Sequence, residues 1–438
     1  MHRPMPHGCD RVRLVMTLVT CTGCALLCED IDVAVENSRI KETKNACRRG
    51  AARIKGCVNR LPSSIAQKPA DIENSIKKAV EILRNARSPM LFGWSNSSCE
   101  AQYKSIQLAK KLNATIDDTS SFCQGILIER VLQKKFKTCS LEDVRNKADV
   151  LVYWGSDAQD SEPRHLSRFS YFPRGEDRQR GYEEDRVAIA IDVRESNTAK
   201  ICKGHFYRIP LKGDREFILA LMDALSGKVP SQDAKKMLEL ASIMKKAEFG
   251  AIFVGIGLTY SIKDDFDILA ALADMLPNFH IMPMVGHYNM RGFNEVLFKE
   301  TGYVNRVKFD GEAVKYSPAE VLDTPSRGVT LVHDAKYSIA EALREKSIDA
   351  LLVVGSDPLS SLPRSLISQL VKIPVICIDP CVTLTSRIAS VTIPCAVSGV
   401  EASGTAVRMD GKVVKLTKIL ETNYLSDEEI LTRIMEAL

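Results

Sequence analysis

The tripeptide Gly155-Ser156-Asp157 recurs as Gly355-Ser356-Asp357, and the landmarks that follow it recur in the same order. A Pro-Arg pair lies at the same offset in both copies, Pro163-Arg164 and Pro363-Arg364. Each copy then enters an apolar run ending in Ile-Asp, Ile191-Asp192 and Ile378-Asp379, with a threonine six residues further on, Thr198 and Thr385. An Ile-Pro pair closes both, Ile209-Pro210 and Ile393-Pro394. The glycine-to-aspartate distances are 37 and 24 residues, and the difference of thirteen matches the polar segment 173–185, which the second copy lacks. Landmarks kept in order indicate an internal duplication, so the chain folds as two similar units.

Periodicity supplies the elements. Apolar residues at Ile72, Ile76, Val80 and Leu83 predict a helix over 72–84, followed by a strand at 90–94, a helix at 99–112 and a strand at 114–117. The second copy reads strand 251–254, helix 264–276 and strand 280–283. Helices 141–148 and 338–346 feed strands 150–154 and 350–354. Near-continuous apolar strands alternating with helices predict an α/β class of fold, two duplicated parallel Rossmann-like domains behind a small N-terminal domain. The expected division is an extension at 1–16, a small cysteine-bearing domain at 17–65, α/β halves at 66–235 and 236–416, and a C-terminal helix at 417–438.

Open parallel sheets take ligands at the carboxyl ends of their strands. Gly155, Ser156 and Asp157, with Asp192 and Thr198, fall at that edge in the first copy; Gly355, Ser356, Asp357, Asp379 and Thr385 do so in the second. A glycine admits a phosphate to the backbone, and a strand-end aspartate accepts from a ribose hydroxyl or base edge. Two such turns suggest two dinucleotides, although a single Gly-Ser-Asp also reads as a plain strand-to-helix turn.

The densest chemical signal is the C-x2-C-x3-C run Cys21, Cys24, Cys28, followed by Cys47. Four thiolates of that spacing suit a [4Fe-4S] cluster; zinc, which usually takes two C-x2-C pairs, and plain packing are the alternatives. Alternation over 31–35 and the turn Glu36-Asn37-Ser38-Arg39 predict a hairpin that returns Cys47 to the loop. Arg48 and Arg49 stand next to it, as neutralisers of an anionic cofactor or as a solvated turn. Thirteen cysteines in a chain with no window of eighteen apolar residues read as metal ligands and buried thiols in a cytoplasmic protein rather than as disulfides. With 60 basic against 55 acidic residues and no dense basic run, neither nucleic acid nor membrane is an expected partner.

Cys123, in Ser121-Phe122-Cys123-Gln124-Gly125, falls between a strand and the helical stretch 126–134. A helix N-terminus favours the thiolate, which suits a nucleophile or soft-metal ligand; inert burial is the other reading. His287, in Gly286-His287-Tyr288-Asn289, is expected at the same edge of the other copy.

Taken together, these segments resemble the B subunit of formylmethanofuran dehydrogenase, a molybdopterin oxidoreductase family, from about residue 18 to about residue 416. The resemblance rests on the four cysteines, Ser121-Phe122-Cys123, Tyr153-Trp154-Gly155 with Pro163-Arg164-His165, Gly286-His287-Tyr288-Asn289 with Gly292-Phe293-Asn294, and Gly399-Val400-Glu401-Ala402-Ser403-Gly404-Thr405. It implies a tungsten or molybdenum ion in two molybdopterin guanine dinucleotides, with Cys123 as protein ligand. The implied reaction reduces CO2 to formate, the first step of methanogenesis or its reverse, with electrons passing through the [4Fe-4S] cluster. The implied partners are an amidohydrolase-like A subunit, a C subunit, a pterin-binding D subunit and ferredoxin-like electron-transfer subunits. Gln124, His287, Asn289 and Arg291 are the polar residues expected beside the metal. Two positions depart from the family pattern, since Gln124 replaces a histidine and Val285 an arginine. These departures leave two alternatives open: a cofactor-free scaffold of the formyltransferase/hydrolase type, or a molybdopterin enzyme with another substrate.

Overall fold

The computed structural model describes residues 16–57, 59–230, 233–310 and 330–438. Apart from Met16, the expected extension at 1–16 lies outside the described residues.

The chain opens with β1 (Met16–Val19), β2 (Ile31–Glu36) and β3 (Arg39–Lys44), then α1 (Arg48–Ile54). Two short strands, β4 (Ser64–Ile65) and β5 (Lys68–Pro69), lead to α2 (Ile72–Asn85), β6 (Pro89–Gly93), α3 (Cys99–Leu112) and β7 (Thr115–Asp118). After α4 (Gly125–Leu132) come β8 (Val150–Trp154), β9 (Val187–Asp192) and β10 (Phe206–Arg208), then β11 (Gly250–Val254) and β12 (Phe279–Pro283). Helix α5 (Met290–Thr301) precedes β13 (Val307–Asp310), β14 (Thr330–His333), β15 (Ala350–Val354), β16 (Val375–Asp379) and β17 (Val391–Pro394). A hairpin of β18 (Gly404–Val407) and β19 (Val413–Leu416) is followed by α6 (Asp427–Ala437).

Two sheets dominate, in the order β10-β9-β8-β11-β12 and β14-β13-β7-β6-β15-β16-β17-β4-β5. The five-stranded sheet is parallel throughout, and the larger one is parallel from β7 to β17. Every residue of β6, β8, β11 and β15 is buried, as strands covered on both faces require.

The expected contiguous halves, 66–235 and 236–416, do not follow these sheets. Each sheet takes its Gly-Ser-Asp strand and the strand after it from one copy and its leading strand from the other. Thus β8 pairs with β11, Trp154 opposite Val254, while β15 pairs with β6, Val354 opposite Gly93. The exchange has a local cause at the end of each leading strand. A Cβ on Gly93 would lie 2.1 Å from the Val354 carbonyl oxygen, and one on Gly255 would lie 2.1 Å from that of Gly155. A glycine at each position lets the other copy's turn close over the strand.

Two further expectations are corrected. Cys57 and Cys381 form a disulfide, with Cα atoms 5.6 Å apart, because the segment after α1 runs beside the end of β16. The C-terminal helix occupies 427–437 rather than the whole of 417–438; it packs on α2 and α3, so it belongs to the larger sheet's layer. The segment 173–185 lies at the amino ends of β8 and β11, where Arg178 pairs with Glu248 at 2.7 Å and donates to the Lys147 carbonyl at 2.9 Å. It is therefore on the edge opposite to the carboxyl ends.

Candidate active site

The Cys21–Cys28 loop closes on itself, the Cys21 N–H donating to the Cys28 carbonyl at 2.9 Å. The β2–β3 hairpin returns the chain so that Cys47 caps α1, its sulfur accepting from the Gly50 N–H at 3.3 Å. Cys21, Cys24, Cys28 and Cys47 thereby line one pocket, with Gly23, Gly50 and Arg164 between them. A Cβ on Gly50 would reach within 2.9 Å of the Cys21 sulfur, and one on Gly23 within 3.2 Å, so the two glycines keep open the space the sulfurs face. Burial pushes the Cys21 thiol up to about 12 and raises Cys24 and Cys28 as well. Such thiols stay protonated unless a cation takes the proton's place. Among the described residues no three His, Cys, Asp or Glu side chains are grouped to hold one metal ion. Four thiols around a glycine-lined pocket match the donor set of an iron–sulfur cluster.

Next to this pocket lies a cavity of about 240 Å³, walled by Thr22 and Gly23 of the cysteine loop, Arg49 and Arg53 of α1, Asn96, and Gly355 and Asp379 of the second copy. Arg49 reaches across to the first copy, donating to the Ser161 carbonyl at 2.6 Å, and Arg53 donates to the Thr22 hydroxyl at 3.2 Å. Burial pushes the Asp379 carboxyl up to about 6. Arg53 and Asn96 were not singled out in the sequence, although Arg53 follows Arg49 by one helical turn and so shares its face.

The two Gly-Ser-Asp turns are built alike. Gly155 and Gly355 both have φ +58°, and their N–H groups donate to the Ile191 and Ile378 carbonyls at 2.8 and 3.0 Å. Asp157 accepts from the Thr198 hydroxyl and N–H at 2.9 and 3.1 Å, and Asp357 accepts from those of Thr385 at 2.6 and 2.8 Å. Those aspartates and threonines hold each turn to the next strand's loop, so they shape the edge rather than present free groups to a ligand. Asp192 is half-buried and accepts from the Arg194 N–H at 3.3 Å. Ser156 is buried and Ser356 half-buried.

Cys123 stands between a short 3-10 turn (Thr119–Phe122) and α4, its thiol donating to the Thr119 carbonyl at 3.4 Å. Its thiol is pushed up to about 12 by burial, which outweighs the Gln124 N–H, so the expected thiolate-favouring helix end does not prevail. His287, after β12 of the other sheet, meets the same turn: its Nδ1 lies 3.2 Å from the Thr119 hydroxyl. That hydroxyl is 2.9 Å from Ser95 Oγ, which donates in turn to the fully buried Asp118 at 3.3 Å. Burial keeps His287 below the usual imidazole range and raises Asp118 above the carboxylate range. Cys123 and His287 thus both contact Thr119, the first through its carbonyl and the second through its hydroxyl.

The other polar residues expected beside the metal are engaged elsewhere. The Gln124 amide donates to the Val254 carbonyl at 3.0 Å and accepts from Thr259 at 2.9 Å, so it straps α4 to the five-stranded sheet. Asn289 is fully buried, donating to the Ser97 carbonyl and accepting from the Val407 N–H, both at 2.8 Å. Arg291 pairs with Glu295 at 2.7 Å and approaches the turn at Gly411. Val285 is buried.

The fold and this site define a class: a mixed α/β protein with two mainly parallel sheets and a cysteine-loop domain beside their carboxyl edges. Its fold is shared with a chain of the formyltransferase/hydrolase complex of Methylorubrum extorquens, solved with methylofuran, at TM-score 0.65 and 18% identity over 85% of this chain and 98% of that one. No family model matches the sequence. The chain is 35% identical to the B subunit of the tungsten-containing formylmethanofuran dehydrogenase 2 of Methanocaldococcus jannaschii, over 95% of this chain and 97% of that one. It is 33% identical to the corresponding protein of Methanococcus maripaludis, with the same coverage. The chain belongs to the family of formylmethanofuran dehydrogenase B subunits. Among the described residues no helix is long and apolar enough to cross a membrane.

Proposed function

We propose that this chain is the catalytic subunit of a formylmethanofuran dehydrogenase, reducing CO2 to formate at a tungsten or molybdenum centre carried by two molybdopterin guanine dinucleotides. The observation that carries the reading is the ring of Cys21, Cys24, Cys28 and Cys47 around one glycine-lined pocket, beside a cavity walled by Arg49 and Arg53. When bound, the cofactors supply two-electron exchange at the metal and one-electron transfer at a [4Fe-4S] cluster.

The chain's own residues have separable tasks. Cys123 offers a soft sulfur to the metal, and Arg49 and Arg53 neutralise dinucleotide phosphates. Gly355 lets the backbone approach such a phosphate, and Asp379 stands where a strand-end carboxyl meets a base or ribose. His287, held through Thr119, is the imidazole nearest in role to the histidine that Gln124 replaces, and it holds or gives the proton that formate formation consumes. The relatives' name and the likeness to a multisubunit complex support a place among A, C, pterin-binding D and ferredoxin-like subunits.

A second reading, a scaffold without cofactors, is favoured by the fold shared with the formyltransferase/hydrolase complex and by the engagement of Gln124 and Asn289. Anaerobic purification of the complex from a native host decides between the two. The expected result is about four irons and about one tungsten or molybdenum per chain, as one cluster and one mononuclear centre require; a preparation without either metal overturns the catalytic reading. In the loaded complex, His287→Asn is expected to keep the metal content and lower turnover by about 10²-fold or more.

A further inference from the structure

Among the described residues, Arg164 is the one guanidinium or carboxylate side chain that lines the four-cysteine pocket. Its guanidinium forms a two-pronged pair with Asp30, both contacts 2.7 Å, and Arg168 pairs with the same carboxylate. The positive charge of both guanidiniums acts on Cys28, lowering its thiol against the rise that burial causes. The two guanidiniums are mostly covered, at 19% side-chain exposure each, while Asp30 is half-exposed at 39%. Asp30 follows Cys28 by two residues, and Arg164 belongs to the Pro-Arg landmark of the first copy. The landmark's second copy offers a built-in contrast, because Arg364 is exposed at the start of a helix with no cysteine pocket beside it.

Reduction of an iron–sulfur cluster adds one negative charge to a centre that is already anionic. Positive charge and N–H donors beside the sulfurs stabilise the reduced state and raise the potential; negative charge lowers it. Two guanidiniums against one carboxylate leave a net positive charge at Cys28, moderated by Asp30. We propose that Arg164, Arg168 and Asp30 form a fixed-charge triad that sets the reduction potential of the cluster held by Cys21, Cys24, Cys28 and Cys47, with Asp30 as the counter-charge that keeps that potential low. The inference rests on the cluster of the proposed function. The step it governs is the uptake of one electron, from a low-potential iron–sulfur carrier or from dithionite, with no bond made or broken and no proton taken up by the triad.

Redox titration of the anaerobically purified complex, followed by the electron paramagnetic resonance of the reduced cluster, tests this. Asp30→Asn is expected to move the midpoint upward, Arg164→Gln and Arg168→Gln to move it downward, and Arg164→Lys to stay near the parent. Arg364→Gln is expected to leave it in place. Should Arg164→Gln fail to assemble a cluster, the sign of the Asp30→Asn shift decides alone. An unmoved or lowered midpoint in Asp30→Asn, with the cluster signal intact, overturns the triad and leaves the proposed function standing. Absence of any cluster signal from the parent complex overturns both.

Discussion

The two Gly-Ser-Asp turns share dihedral angles, strand register and a matched aspartate–threonine clasp, yet they face different surroundings. A Cβ on Gly155 would come within 2.3 Å of the Leu258 backbone nitrogen, whereas on Gly355 its nearest neighbour would be Asn96 Cβ at 3.3 Å. The first turn is pressed onto the short helix Ile256–Ser261 that follows β11; the second opens on the cavity that Arg49 and Arg53 line. Duplication therefore preserved the backbone device while the contents of each edge diverged. A glycine that serves packing in one copy lines a cavity in the other.

The largest effects are expected where the copies remain equivalent. Gly93 has φ +125°, and both Gly93 and Gly255 would place a Cβ 2.1 Å from a carbonyl oxygen of the opposing turn. Backbone cannot yield as a flexible side chain does, so Gly93→Ala and Gly255→Ala should each cost about 4 kcal/mol or more and reduce soluble yield alike. Denaturant unfolding measures this. A mild effect in one variant and a severe one in the other would show that the exchanged strands do not play matching parts.

Next come the turns themselves. An alanine in the left-handed region costs about 1–2 kcal/mol in either copy. Gly155→Ala adds a backbone clash of about 1–3 kcal/mol that Gly355→Ala lacks. Thermal unfolding should thus rank Gly155→Ala well below Gly355→Ala. In the loaded complex the order of cofactor loss should invert, pterin content falling further in Gly355→Ala; equal loss in both would break the distinction between a packing turn and a cavity turn.

Much of this arrangement is legible in the residues. The duplication, the strand positions and the cysteine quartet follow from spacing and periodicity, because each depends on near neighbours in sequence. The exchange of leading strands does not, since apolar periodicity marks Pro89–Gly93 as a buried strand without saying that its partner is Ala350–Val354. A signal was present in Gly93 and Gly255, a glycine closing each leading strand, where only a close backbone approach explains the residue. Gln124 and Asn289 could not be assigned from sequence at all. Their partners are backbone carbonyls and N–H groups of Val254, Ser97 and Val407, and a backbone group carries no residue signature. The disulfide escaped for a different reason: Cys57 and Cys381 are 324 residues apart, and no local pattern pairs two such distant cysteines.

The smallest expected effect separates the two strand-end aspartates. Burial pushes Asp379 up to about 6 from an ordinary 3.8, so the folded chain holds its proton more tightly than the unfolded chain does. The stability carried by the neutral carboxyl is complete below about pH 4 and is lost as pH rises through about 6. Linkage sets a ceiling of about 3 kcal/mol on that loss; the adjoining cavity brings water close to the carboxylate, so about 1 kcal/mol is expected. Asp379→Asn stays neutral at every pH, so it should match the parent near pH 4, exceed it above pH 6 and flatten the pH profile of unfolding. Asp192→Asn, at the half-buried counterpart, should remain within about 0.5 kcal/mol of the parent at neutral pH. An Asp379→Asn variant whose pH profile keeps the parent's shape would break the contrast between the two strand ends.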